Sequence, residues 1–226
     1  MGTVKILDET TKNPITLMGQ MAGYTTRADI DDMIKNYNRG IDCIEQNHGR
    51  VLEFPNIVMV ISGYSSRVIR EWYTHIGCLP TRLQESTRYI NLKDFKYVTP
   101  DSIQDNEKAK ELYSECMNYI MTTYQSLIDL GVPREDVAMV LPLATETTIV
   151  DKRNLRNLID MCHQRLCNRA YWEYRQLMHD VLNALSEYSE EWKYLVDTQM
   201  KPKCKYLGYC PEKKSCGNIA AKDEKK

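Results

Sequence analysis

Positions 84 to 88 set Gln84, Glu85, Ser86, Thr87 and Arg88 side by side, five consecutive side chains that donate or accept hydrogen bonds. Arginine presents a planar fork of N–H donors that matches phosphate oxygens, and Ser and Thr hydroxyls add short neutral donors. The grouping suits an anionic, hydrogen-bonding ligand. The same composition also serves a solvated turn in which Arg82 and Arg88 are ordinary surface charges, so the flanking elements carry weight. Upstream, Val68, Ile69, Trp72 and Tyr73 recur on one helical face behind Ser65 and Ser66 as candidate N-caps, which predicts a short amphipathic helix over 67–75. Gly77 and Pro80 turn it into a loop, and Tyr89 and Ile90 beyond are β-prone. Residues 57–62, IVMVIS, form a β-branched run of strand length that leads into the helix, a layout favoured by phosphate-binding loops.

A second chemical cluster lies further on. A long helix is expected from Asn154, with Leu158, Ile159, Cys162, Leu166, Tyr174, Leu177, Met178, Val181 and Leu185 as its core stripe. Arg156 and Asp160, four apart, could form a plain surface pair. Leu158, Met161 and Arg165 share one face, which carries the Arg165 charge toward apolar surroundings, where it needs a partner or a ligand.

The remaining elements follow from periodicity. Val4, Ile6 and Leu7 predict a strand and residues 10–13 a turn. Ile30, Ile34, Tyr37, Ile41 and Ile44 predict a helix that begins near Thr25 or Thr26, stops at Gly49 and carries His48 at its end. A further strand is expected over 95–98, before Pro100. Leu112, Cys116, Tyr119, Ile120, Tyr124 and Leu127 predict a helix over 105–130, closed by Gly131 and Pro133.

A length of 226 residues fits one globular domain. A formal charge of −1 gives no overall field to draw in nucleic acid. The first seven residues lack a signal-peptide pattern, and no run of eighteen apolar residues would hold the chain in a membrane, so a cytoplasmic location is expected. Of the eight cysteines, Cys43, Cys78, Cys116, Cys162 and Cys167 are scattered and read as reduced thiols. Cys204, Cys210 and Cys216 are evenly spaced in a lysine-rich tail. Three ligands without an evident fourth do not make a zinc site, and no metal is expected.

Taken together, the two clusters resemble the signature of the flavin-dependent thymidylate synthases, the ThyX family. There a helix ends in R-H-R, and a Ser, Gly or Thr, Arg, Tyr run follows; Ser86, Thr87, Arg88 and Tyr89 match that run. Alignment on Trp72 sets Thr74, His75 and Ile76 against R-H-R, so the histidine survives, two arginines are missing, and the longer loop offers Arg82 as a replacement charge. Glu71 stands where the family often has glutamine. HGRVLE, from His48, resembles a flavin-contacting segment, with Arg50 in place of a Ser or Thr and Phe54 in place of a histidine. GVPREDVAMVLP, from Gly131, resembles a motif whose arginine reaches the nucleotide of a neighbouring subunit, with Ala138 here at the aligned position. Asn154 and Arg156 match an Asn-x-Arg flavin contact, Asp160 stands where asparagine is common, and Arg165 matches the nucleotide-activating arginine. Ala170, Trp172 and Glu173 continue the register, with Tyr171 in place of a glutamine.

The resemblance spans about 29–185. It implies a single α+β domain over 1–200 with a mixed or antiparallel sheet and long helices, followed by a Cys- and Lys-rich tail over 201–226. It also implies a homotetramer with active sites shared between subunits, and the reductive methylation of dUMP to dTMP. Methylenetetrahydrofolate would donate the carbon, with FAD and NADPH as reductants; no GxGxxG fingerprint marks an NADPH site. For the substrate, the resemblance implies Glu71, Thr74, Gln84, Glu85, Ser86, Thr87, Arg88 and the catalytic Arg165. For FAD it implies His48, Arg50, Thr74, His75, Ile76, Gln84, Asn154, Arg156 and Asp160. The altered R-H-R motif and Ala138 leave two alternatives open: C5-methylation of UMP or dCMP, and a non-catalytic nucleotide-binding relative.

Overall fold

The computed structural model describes residues 2–222. Met1 and residues 223–226, the outer ends of the expected domain and tail, lie outside the described residues. Strands β1 (Thr3–Ile6), β2 (Asn56–Ser65), β3 (Thr81–Gln84) and β4 (Glu146–Asn154) form one antiparallel sheet in the order β1-β2-β4-β3. The helices are α1 (Pro14–Thr26), α2 (Met33–Glu45), α3 (Ser66–Trp72), α4 (Asp101–Gln104), α5 (Glu107–Asp129), α6 (Arg134–Val137), α7 (Leu155–Arg165), α8 (Trp172–Tyr188), α9 (Glu190–Thr198) and α10 (Lys203–Leu207). This is an α+β fold. None of the described helices is long and apolar enough to cross a membrane. The chain divides into two compact units, one of residues 2–3, 61–73 and 83–149, the other of 4–60, 74–82 and 150–222.

In the first unit β2 runs directly into α3, as its sequence predicts. The Ser65 hydroxyl accepts from the Val68 N–H and so satisfies one of the open donors at the helix start. Val68, Ile69 and Trp72 are buried. Helix α5 also lies where expected, capped by Asn106, but its face is turned by one residue. Met117 and Tyr124 are buried with Tyr113 and Ile120 beside them, whereas Leu112, Cys116 and Tyr119 of the expected stripe face solvent. The two rows share the same i, i+4, i+7 spacing, so spacing alone cannot choose between them. The strand expected over 95–98 reduces to a single bridge from Tyr97 to Thr145. Tyr89 and Ile90 are not extended either: both N–H groups turn back to the Ser86 carbonyl. The strand is instead the polar, edge-lying Thr81–Gln84.

The second unit corrects two helix readings. Residues 14–26 are helical, so Thr25 and Thr26 end a helix rather than begin one. Gly19 on α1 and Gly40 on α2 permit close packing of the two helices: a Cβ on Gly19 would collide with the Asn36 carbonyl, and one on Gly40 with the Ile15 carbonyl. The buried line of α2 is accordingly Asn36, Gly40 and Cys43, with Ile34 exposed. The single long helix expected from Asn154 is two, α7 and α8, parted at 166–171, where Arg175 donates to the Asn168 and Ala170 carbonyls. Asn154 itself ends β4 and caps α7, its side chain accepting from the Asn157 N–H. Apart from the half-buried Leu166, the expected stripe through Leu158, Leu177 and Leu185 is buried.

Candidate active site

In the second unit, residues from two distant motifs meet. Arg165, in the last turn of α7, donates from Nε to His75 Nε2 at 3.0 Å and lies over the Tyr174 ring at 4.6 Å. His75 packs edge-on against the same ring, with centroids 6.0 Å apart. Burial, reinforced by the Arg165 and Arg153 charges, pushes the His75 pKa down to about 4. The imidazole is therefore neutral at pH 7 and accepts through Nε2, which puts its proton on Nδ1. A neutral acceptor and an aromatic face help to orient the guanidinium. Tyr174 is a member of this cluster that the motifs did not single out.

Beneath lies a group that sequence reasoning missed entirely. Arg153 donates to Asp151 through two parallel bonds, Nε to Oδ2 at 2.6 Å and Nη2 to Oδ1 at 2.7 Å, and to Asn157 Oδ1 at 2.6 Å. Its Nη1 also meets the Met161 sulfur. Asp151 and Arg153 are both sealed from solvent. The available signal was an Asp-x-Arg pair on one face of a strand, two residues apart. The loop after His75 lies close to this group: a Cβ on Gly77 would stand 3.2 Å from the Asn157 amide nitrogen.

The residues assigned to flavin by resemblance gather in part. His48 and Arg50 line a cavity of about 510 Å³ whose other walls include Met21, Ala22, Cys43, Val51 and Phe54. The 3-10 turn Gly49–Glu53 that carries Arg50 is joined to the start of α7 by an Arg156 to Glu53 ion pair at 2.6 Å and by the Leu155 N–H to the Pro55 carbonyl. Arg156 thus pairs with Glu53 rather than with Asp160. Asp160 is exposed on α7, and Thr74 and Ile76 are exposed beside His75. A mostly apolar lining that includes a histidine and an arginine has the chemistry to take a polar-edged ring system such as a flavin.

In the first unit, Gln84, Glu85, Ser86 and Thr87 line a smaller cavity of about 140 Å³ together with Ala138 and Thr145, whose buried hydroxyl has no hydrogen-bond partner among the described residues. Glu85 is committed to structure: its main chain donates to Thr148 and its carboxylate accepts from the Thr148 N–H. Gln84 reaches Thr147 Oγ1 at 3.4 Å. The Ser86 hydroxyl accepts from the Arg88 N–H at 3.3 Å. Arg88 is exposed and pairs through Nε with Glu135 at 2.7 Å, and Arg134 donates to the Tyr89 carbonyl. Glu71, half-buried on α3, belongs to this unit too.

The family model described as thymidylate synthase complementing protein matches residues 6–189. The chain belongs to this family. Among its relatives are flavin-dependent thymidylate synthases from Geobacter sulfurreducens, 32% identical over 76% of this chain and 73% of the relative, and Thermococcus onnurineus, 31% identical over 73% and 68%. The flavin-dependent thymidylate synthase of Clostridium tetani is 26% identical over 97% of this chain and 95% of its own. Among solved structures, the UMP/dUMP methylase PolB from Streptomyces cacaoi, bound with 5-Br dUMP, superposes with a TM-score of 0.72 at 16% identity, covering 88% of this chain and 96% of that one. The fold is shared across that distance, and both clusters described above lie within the family match.

Proposed function

We propose that the protein is a flavin-dependent thymidylate synthase that methylates C5 of dUMP, taking the carbon from methylenetetrahydrofolate and using NADPH as reductant. The observation that carries this reading is Arg165 fixed by a neutral histidine and an aromatic face in a chain of this family. C5 of a uracil ring becomes nucleophilic as negative charge gathers on the ring carbonyl and nitrogen, and a pre-oriented guanidinium stabilises that charge. His75 holds the Arg165 fork in place. Ser86, Thr87 and Arg88 hold the nucleotide phosphate, with Arg88 keeping its Nη end open beyond the Glu135 contact. Ser86 serves as a binding group, its oxygen accepting the Arg88 main-chain N–H. His48, Arg50, Asn154 and Arg156 hold FAD, which when bound supplies the hydride. Residues 1–200 form the catalytic domain and 201–226 a tail. The protein acts in the cytoplasm as a homotetramer whose subunits share sites, and light scattering that reports a monomer would count heavily against this arrangement.

A second reading is kept alive by Thr74 and Ile76 in place of arginines, by Ala138, and by a structural neighbour named a UMP/dUMP methylase. In it the accepted nucleotide is UMP or dCMP. Purified protein given FAD, NADPH and methylenetetrahydrofolate with each nucleotide separately should convert dUMP to dTMP. Methylation confined to UMP or dCMP would sink the thymidylate assignment. A protein that stays colourless and fails to bind added FAD would leave a non-catalytic relative.

A further inference from the structure

The C-terminal segment borders a cavity of about 480 Å³ together with the end of α7 and the α7–α8 turn. Two contacts hold this wall in place: the His163 and Tyr206 rings meet with centroids 5.1 Å apart, and Arg169 donates to the Lys214 carbonyl at 3.0 Å. The charge of the lining is lopsided. Among the described residues Arg165, Arg169 and Lys203 bring three positive charges against the single carboxylate of Glu212, in a chain whose overall formal charge is −1. We propose, building on the role given to Arg165 above, that this cavity receives the oxyanion arm of a diffusible cosubstrate, carboxylate or phosphate, with Lys203 as a partner of that arm.

Cations gathered in one concavity repel one another, and an anion relieves that repulsion. Glu212 does so only in part. It stands 3.6 Å from Arg169, and both side chains are about half exposed, so the pair is weak and yields readily to an incoming oxyanion. Lys203, exposed at the start of α10, has no ion pair among the described residues. Burial holds the His163 imidazole below its ordinary pKa, Asp160 opposes this and Lys203 adds to it, which sets the Lys203 charge within electrostatic reach of α7.

Position supplies the class of ligand. Arg165 lines the cavity and is also the residue proposed to act on the uracil ring, so a molecule that reacts near that ring can extend an arm past Arg165. Both cosubstrates of the proposed reaction carry such an arm away from their reacting atoms: the glutamyl carboxylates of the folate and the 2′-phosphate of NADPH. Small-molecule sites commonly run from about 300 to 1,000 Å³, so the cavity has room for an arm and not merely for a lone ion. Its walls are already in place.

The test uses the full chain, reduced and loaded with FAD, at low ionic strength. Calorimetry compares triglutamyl tetrahydrofolate with tetrahydropteroate, which lacks the glutamyl carboxylates, and NADPH with NADH, which lacks the 2′-phosphate. Labelling of each cysteine by a thiol reagent is followed by mass spectrometry with and without ligand. In one of the two pairs the more anionic member should bind about tenfold or more tighter. It should also slow labelling of Cys204 and Cys216, which line the cavity, while Cys78 and Cys116, exposed and outside it, react at their former rates. Lys203→Glu should erase that preference without changing the affinity of the less anionic member, Lys203→Arg should retain it, and added salt should weaken it. A preference in the folate pair assigns the carboxylate arm, and one in the nicotinamide pair the phosphate. Labelling rates that ignore both ligands overturn the proposal, as do affinities that ignore the charge reversal. Should Lys203→Glu fail to fold, the labelling of the unmodified chain decides. A chain that forms dTMP without thiol protection loses the cavity assignment alone, and one that shows protection but methylates no dUMP loses the proposed reaction alone.

Discussion

Arg165 and Arg88 live in opposite surroundings. Arg165 is part-buried, held by His75 and Tyr174 above the sealed Asp151–Arg153 pair. Arg88 is 64% exposed, and its partner Glu135 is 53% exposed. The difference fits the two tasks proposed for them. A charge that must sit in one orientation while electrons shift gains from being desolvated and braced, because its field is then strong and needs no reorganisation. A charge that catches a hydrated phosphate gains from being accessible and readily re-paired.

The contrast can be broken at its foundation first. Asp151→Ala removes the carboxylate that faces a buried guanidinium, and about 3–5 kcal/mol of stability should be lost in urea unfolding. A loss below about 1 kcal/mol would mean that Arg153 is not buried in solution. Next, Arg165→Ala should lower kcat by about 10² to 10³ with folding intact, read as dTMP formed under saturating nucleotide. Arg88→Ala should act on the other parameter, raising the KM for dUMP roughly ten- to hundredfold while kcat changes far less. If the kcat and KM effects were exchanged between these two variants, the division of labour would be wrong.

Smaller effects sharpen the picture. The His75 pKa in the folded chain, about 4, lies below the ordinary 6.5, so the unfolded chain takes up a proton first as pH falls. The stability contributed by the neutral ring is complete above 6.5 and is lost progressively between 6.5 and about 4. An NMR titration should show the His75 ring signals unmoved until below pH 5, and His75→Gln should flatten that part of the stability profile. The smallest change is expected from Glu135→Gln, under about 1 kcal/mol in stability and further reduced by salt, since the pair is exposed.

What the sequence made legible is local. Residues 57–62 and Ser65 announced the strand, the cap and α3, because a β-branched run and a hydroxyl at a helix start act through their own backbone. The motif residues His75 and Arg165, ninety positions apart, meet in the fold. Several features were not legible because each depends on what lies opposite. The exposed and buried rows of α5 have identical spacing. Helix α1 hides behind two glycines whose value appears only when α2 crosses it. Asp151 and Arg153 stand on β4, a strand that periodicity did not bring out, and their pairing matters only because that face of β4 is buried. Cys167 and the tail cysteines are far apart in the chain and come to line one cavity only in the fold.

The crossing of α1 and α2 has a consequence for the cavity beside His48. Met21, Ala22 and Thr25 come from one helix and Cys43 from the other, so the breadth of that chamber is governed by how nearly two backbones touch. Where Gly19 and Gly40 meet carbonyl oxygens there is no soft material to compress. The walls are gauged by missing atoms, and a single methyl at either glycine would act as a shim, prising the chamber wider without altering any residue that lines it.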